Sequence, residues 1–272
     1  MARKARIQSS TGIYHIMLRG LNGMELFHSD DDYSFFQKRL FHLSHPSDDE
    51  GEPKEPLCLI YAYCLMTNHV HLMLRTTGKE LSAVIKSLAV SYAHYFNTLM
   101  TRRGYLFQDR FRSEPVEDFN YLITLFRYIH QNPVKAGLVS DVDNYRWSSW
   151  HEFFSSTNNG ISICEKSFIL DQVGLDYLST WVKQPLENDD FSSLEDEELP
   201  SDNEVRKMLS EMLQGGSSLE CLTNLNKNER NELIATALQK GAGIRQLERI
   251  TGIGFNIIQR LKLKNKSKSP SP

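Results

Sequence analysis

Two stretches of this 272-residue chain place chemically capable side chains at regular spacing. The first is Asn68-His-Val-His-Leu-Met-Leu-Arg75. Read as a strand, it puts His69 and His71 on one face, about 6.6 Å apart at their attachment points. Val70, Leu72 and Leu74 take the other face. Two imidazoles so placed can donate a nitrogen each to one cation without distorting the backbone. The same spacing also suits two hydrogen-bonded histidines on a half-exposed strand. The second stretch is Leu125-Phe-Arg-Tyr-Ile-His-Gln-Asn-Pro133. On a helix, Tyr128 and Asn132 stack one turn apart on a single face. A phenolate can attack a phosphodiester and hold the phosphorus covalently while a 3′-hydroxyl leaves. A divalent cation would neutralise that phosphate, and an Asn carbonyl oxygen is a hard ligand suited to Mg²⁺ or Mn²⁺. A tyrosine near a helix end also serves plain amphipathic packing, and Asn before Pro serves as a helix stop.

The elements that must hold these groups follow from periodicity. Gly12 to Arg19 reads as a strand, and Asp30 to Leu43 as a helix with Tyr33, Phe36, Leu40 and Leu43 at helical spacing. The proline-studded segment 46–56 is a polar loop. Leu57 to Leu65 and His69 to Arg75 are β-prone runs joined by Met66-Thr-Asn68, the pattern of adjacent strands. Leu81 to Met100 is a long helical pattern, and residues 107–112 a strand or loop. Asp118 opens a helix through Leu122, Leu125, Phe126 and Ile129, with a stop expected at Asn132-Pro133. This order predicts an α+β fold with helices on one face of an antiparallel sheet.

Composition adds boundaries. The chain is 40% hydrophobic and 24% charged, which argues against wholesale disorder. No apolar run reaches the roughly 18 residues of a membrane span, and the basic N-terminus precedes no apolar stretch, so neither membrane nor secretion is expected. Cys58, Cys64, Cys164 and Cys221 lack metal-type spacing and read as reduced thiols in a cytoplasm. The net charge of −3 is unevenly spread. Residues 1–155 hold 17 Lys/Arg and 17 Asp/Glu, residues 156–203 hold 2 against 11, and residues 204–272 hold 12 against 6. The expected plan is a catalytic domain over 1–155, an acidic connector over 156–203, a helical module over 204–264 and a disordered basic tail over 265–272.

Three motifs in order carry a resemblance: Thr67-Asn-His-Val-His-Leu-Met-Leu74, Leu106-Phe-Gln-Asp-Arg-Phe-Arg-Ser113, and Tyr121-Leu followed by Arg127-Tyr-Ile-His-Gln-Asn-Pro-Val-Lys-Ala-Gly137. They resemble the HUH single-tyrosine transposases, in the branch of REP-associated tyrosine transposases, from about Gly12 to Trp150. The resemblance implies a ferredoxin-like or RRM-like sheet, His69 and His71 as the metal-binding pair, Asn132 as third ligand and Tyr128 as nucleophile. It further implies Mg²⁺ or Mn²⁺ as cofactor, single-stranded or hairpin DNA as partner, and a prokaryotic, nucleoid-associated setting. Tyr121 is the rival nucleophile, but the residue four along from it is Leu125, which cannot bind metal. Thr67 replaces the proline common in the family, which touches the turn and not the ligands. Arg110, Arg112, Arg127 and Lys135 flank the motifs and could grip phosphates. Tyr105 and Phe107 could stack on bases or pack the core.

Near the C-terminus, Ile244 to Lys262 fits helix, glycine turn, helix, with Gly252 at the turn and Leu247, Ile253, Ile258 and Leu261 as its buried set. A preceding helix over Glu229 to Lys240 would complete a three-helix unit. As a helix-turn-helix it would present Asn256, Gln259 and Arg260 to DNA; a helical bundle for dimer contacts fits the same pattern. Glu248 departs from the small residue usual at its position. The sequence thus points to a metal-dependent nicking-joining transposase acting through a 5′-phosphotyrosine, as monomer or homodimer. A non-catalytic hairpin-DNA-binding regulator and a hydrolytic nuclease stand as alternatives. The reading requires two sheet imidazoles and one helix phenol to converge around one cation; it collapses if the phenol oxygen lies far from the imidazoles with no mobile helix to bring it in, or is buried in the core.

Overall fold

The computed structural model describes residues 6–108, 110–154, 162–184, 200–213 and 225–266. Its chain divides into two compact units, residues 1–19 with 26–188, and residues 20–25 with 189–272.

The first unit is built on β1 (Ile13–Arg19), α1 (Asp30–Ser44), β2 (Cys58–Leu65), β3 (His69–Thr76), α2 (Leu81–Leu99) and β4 (Arg112–Pro115). The strands form one sheet in the order β2-β3-β1-β4, every neighbour antiparallel. This βαββαβ order with the first and third strands central is the ferredoxin-like topology that the motifs implied. β4 begins at Arg112, where the sequence suggested a strand would end. Pairing with β1 decided that boundary, since Arg112 to Pro115 lie opposite Met17 to Tyr14.

Register sorts the two faces. Leu18, Ile16 and Tyr14 of β1 lie opposite Val70, Leu72 and Leu74 of β3, and all six are buried. Tyr63 of β2 shares their face through its pairing with Leu72, and its hydroxyl accepts from Gln37 Nε2 of α1 at 3.0 Å. The α1 and α2 helices therefore belong to this face. Asp32 ties them together: Oδ2 accepts from the backbone N–H of His28 and Ser29, and Oδ1 accepts from Tyr95 of α2 at 3.0 Å. Ser29 and Asp32 thus form a capping box at the start of α1.

The opposite face holds His15, Met17, His69, His71 and Met73. The helix α3 (Phe119–Lys135) packs against β2 and β3 there. The expected one-sided helix layer accounts for α1 and α2, and α3 adds a cover on the second side. That cover is why β3 is buried on both faces from His69 to Leu74. Asp118 caps α3 by accepting from Tyr121 N at 2.8 Å. The helix passes through Pro133 instead of stopping before it. A proline in the last turn forfeits one backbone bond, and the chain turns out at Gly137, whose φ of +67° suits glycine.

Residues 150–184 carry three short helices, α4 (Trp150–Phe154), α5 (Ser167–Val173) and α6 (Leu175–Val182). Ile169, Leu178 and Val182 are fully buried, and α6 packs on α3. The acidic connector expected from residue 156 is therefore folded structure where it is described up to Gln184, because its few apolar residues cluster in those helices. Residues 185–199, which hold most of its acidic groups, lie outside the described residues. Cys58, Cys64 and Cys164 are free, buried thiols.

The second unit contains α7 (Asp202–Met212), α8 (Lys227–Gln239), α9 (Ile244–Thr251) and α10 (Phe255–Lys266). Val205, Leu209, Leu233, Ile234, Leu247, Ile250 and Ile258 form its core. Gly252 turns the chain between α9 and α10 at φ +71°, as the sequence pattern required. The first two residues of the expected tail, Asn265 and Lys266, belong to α10; residues 267–272 lie outside the described part, as does Cys221.

Candidate active site

Side-chain alternation on β1 and β3 brings three histidines together under α3. His69 and His71 occupy one face of β3 with ring centroids 4.9 Å apart. His15 of β1 stacks on His71 at 5.2 Å, and its Nε2 lies 3.0 Å from His71 Nδ1. From above, Tyr128 presents its ring edge-to-face to His71 at 5.5 Å and to His15 at 6.0 Å between centroids. The two motifs thus meet in space.

All three imidazoles are held neutral. Burial pushes His15 and His69 down to about 3, and His71 well below its ordinary value. The positive charge of Arg19 adds to the lowering at His69 and His71. Neutral imidazole is the ligating form. His69 Nδ1 lies 2.7 Å from Asn68 Oδ1, so that nitrogen carries the proton and Nε2 keeps its lone pair. His71 Nε2 is buried with no hydrogen-bond partner among the described residues. A buried lone pair left unmatched is what a cation would satisfy, so the pair fits a divalent metal. Among the described residues no three His, Cys, Asp or Glu converge as a ready-made metal cage. Asn132 would supply the third donor; it is buried one turn past Tyr128, with Nδ2 donating to the Tyr128 carbonyl at 2.9 Å. The nitrogen is spent on the helix, which leaves the oxygen as the ligand-type atom.

Accessibility departs from the expectation. Tyr128 is 2% exposed, His71 1% and His69 7%. The phenol meets the imidazoles, but α3 shuts both away from solvent in this conformation. Packing on α6 reinforces the lid. Arg127 Nε and Nη2 donate to the Gln184 carbonyl at 3.1 and 2.6 Å, and its guanidinium lies 5.0 Å from the Trp181 ring centroid. Arg127 therefore spends these donors within the protein, whereas Arg110, Arg112 and Lys135 are exposed. Tyr105 is 84% exposed and packs no core, while Phe107 is half-buried.

Tyr121 is engaged by Glu114, the β4 residue that pairs with His15. Its hydroxyl donates to Glu114 Oε2 at 3.0 Å, and burial together with that carboxylate raises its pKa. A phenol held this way resists forming a phenolate.

Two histidines near the site escaped the sequence reading. His15 lay within the first predicted strand, yet it stands out only through the β1–β3 register, which sets it beside Met73 and His71. His130 follows Tyr128 by two positions and anchors α3: Nδ1 lies 2.8 Å from the Phe126 carbonyl, and Nε2 2.8 Å from Ser149 Oγ. Ser149 Oγ in turn accepts from the Tyr63 N–H of β2 at 2.9 Å. A helical histidine gives no hint of such a bridge in sequence.

In the second unit, Asn256, Gln259 and Arg260 are exposed on α10. Glu248, the odd residue of the pattern, earns its place as a cap: Oε1 accepts from Phe255 N at 3.0 Å and Oε2 from Arg245 at 2.7 Å. A carboxylate at the α10 N-terminus satisfies an otherwise orphaned N–H.

Among curated proteins none matches this chain. A solved structure described as that of the REP associates tyrosine transposase bound to a REP hairpin aligns at 18% identity, with a TM-score of 0.45, over 56% of this chain and 84% of that one. Residues 53–132 match the family model described as Transposase IS200 like. That stretch begins in the loop before β2 and ends at Asn132, so the part of the chain similar to the IS200-like transposase family includes His69, His71 and Tyr128.

Proposed function

We propose that the first unit nicks and rejoins single-stranded DNA at hairpin-forming repeats, with Tyr128 as nucleophile. The observation that carries this reading is the meeting of the Tyr128 ring with His71 inside the segment that matches the transposase family. Tyr128 Oη attacks the scissile phosphorus, the bond from phosphorus to O3′ breaks, and a 5′-phosphotyrosine and a 3′-hydroxyl result. His69, His71 and Asn132 would hold a Mg²⁺ or Mn²⁺ ion, which when bound supplies Lewis-acid stabilisation of the phosphate charge. Joining reverses the step: a 3′-hydroxyl attacks the phosphotyrosine and frees the phenol. Exposed Arg110, Arg112 and Lys135 suit the strand's backbone. Because Tyr128 is buried, the proposal includes a displacement of α3 on DNA binding. In the second unit, Asn256, Gln259 and Arg260 offer a face for DNA readout.

Burial of the phenol favours one rival, a regulator that binds hairpin DNA without cutting it. Incubation of the protein with hairpin-bearing single-stranded DNA and Mn²⁺, followed by a denaturing gel, separates the two. A DNA-shifted protein band absent from Tyr128→Phe is expected. Binding without that band, even with excess Mn²⁺, would establish the regulator, and cleavage with no covalent adduct would point to water as nucleophile.

A further inference from the structure

We propose that His15 is a positioning residue that sets the tautomer of His71. The inference rests on the metal reading of His69 and His71, and concerns a residue that contributes no ligand.

The argument is one of proton placement. His71 has two ring nitrogens, both buried: Nδ1 lies 3.0 Å from His15 Nε2, and Nε2 has no partner among the described residues. One proton joins Nδ1 and the His15 nitrogen. If His15 Nε2 donates, His71 must carry its own proton on Nε2, which leaves a buried N–H unmatched and unable to ligate. If His71 Nδ1 donates, His71 Nε2 bears the buried, unmatched lone pair that a cation would take. His15 then holds its own proton at Nδ1, which likewise has no partner among the described residues. Asn68 imposes the same choice on His69, because its Oδ1 lies 2.7 Å from Nδ1. Either choice leaves one N–H and one lone pair unmatched, so the metal reading selects between them: with His71 ligating through Nε2, His15 is the acceptor behind His71 as Asn68 is behind His69. Such partners fix ring orientation and tautomer in metal sites. His15 is not assigned as a third ligand, since its Nε2 is spent on His71 and the three clustered histidines are not arranged to hold one ion together. Stacking at 5.2 Å with 19° between ring planes adds a mechanical constraint, holding the His71 ring upright.

The test uses the full chain. Long-range ¹H–¹⁵N correlation of the imidazoles is expected to show His71 protonated at Nδ1 in the metal-free protein. An Nε2–H tautomer would overturn the proposal without any variant being needed. Mn²⁺ affinity is then read by electron paramagnetic resonance with hairpin-bearing DNA present. His15→Phe, which keeps a ring but removes the acceptor, is expected to weaken Mn²⁺ binding about 10- to 100-fold. His15→Gln, which can still accept, is expected to stay within about threefold, with hairpin affinity unaltered in both. Equal Mn²⁺ affinity in wild type and His15→Phe would refute the role. Wild-type protein that binds no Mn²⁺ would instead defeat the metal reading, and the tautomer measurement would still decide the case of His15.

Discussion

His130 offers a quantitative test of how α3 is fastened over the site. Its Nδ1–H must donate to the Phe126 carbonyl, because a carbonyl can only accept, so Nε2 accepts from the Ser149 hydroxyl. The neutral imidazole makes both bonds. Burial rather than bonding is what disfavours the charged ring, since an imidazolium could also donate Nε2–H to Ser149 Oγ while that hydroxyl turned to the Tyr63 carbonyl at 3.3 Å. Burial pushes the group down to about 4 from an ordinary 6.5. The unfolded chain therefore takes up this proton first, and stability contributed by neutral His130 is complete above pH 6.5 and declines as pH falls. The decline ends near pH 4, where the folded form also protonates. A gap of this size corresponds to about 3 kcal/mol in total, lost at about 1.4 kcal/mol per pH unit within the window. His15 and His69, each pushed down to about 3, add slopes of the same sign. The perturbation is His130→Gln, and the assay is urea unfolding followed by tryptophan fluorescence between pH 7.5 and 4.5. Trp147, Trp150 and Trp181 all belong to the first unit, so the signal reports that unit alone. The variant should be less stable at pH 7.5, having lost two buried hydrogen bonds. Its stability should nevertheless fall less steeply with acid, by about 1.4 kcal/mol per pH unit between pH 6 and 4.5. Parallel pH profiles for wild type and variant would refute the assignment of a neutral, doubly bonded imidazole.

Four other outcomes are expected. Tyr128→Phe should abolish the covalent adduct while changing unfolding free energy by only about 1 kcal/mol, since the ring and its packing remain; loss of the fold in a melt would make Tyr128 structural. His69→Ala should retain hairpin binding in a gel-shift assay and lose nicking, and unchanged nicking at equal metal would remove His69 from the ligand set. DNA binding should speed amide hydrogen exchange along α3, because the buried phenol must be uncovered; unchanged or slower exchange there would contradict the displacement. In the second unit, Arg260→Gln should weaken DNA binding and relax preference among DNA sequences in a gel-shift series. Affinities unaltered for every sequence would take Arg260 off the DNA.

The chemistry-bearing residues were legible in the sequence because strand and helix periods are local properties. An H-x-H spacing puts two imidazoles on one strand face whatever the sheet around it, and a four-residue spacing joins Tyr128 to Asn132 on any helix. The β-α-β-β-α order and the glycine turn at Gly252 were readable for the same reason, whereas the fourth strand was not, since 107–112 suggested a strand or loop and β4 spans Arg112–Pro115. Other features required the folded chain. Which strands lie side by side is a long-range matter, so His15 became a neighbour of His71 only once β1 paired with β3. Apolar residues in the segment after residue 156 were too few to signal helices, yet α6 buries Leu178 and Val182 in the packing on α3. Whether the histidine-bearing face lies open is likewise decided by packing. A strand pattern of alternating imidazole and aliphatic groups suggests one wet face, and α3 settling on that face, held by His130 through Ser149 to β2, made it dry. Residue types and short spacings state which groups can react; the distances between segments far apart in the chain determine whether they meet and whether a substrate can reach them.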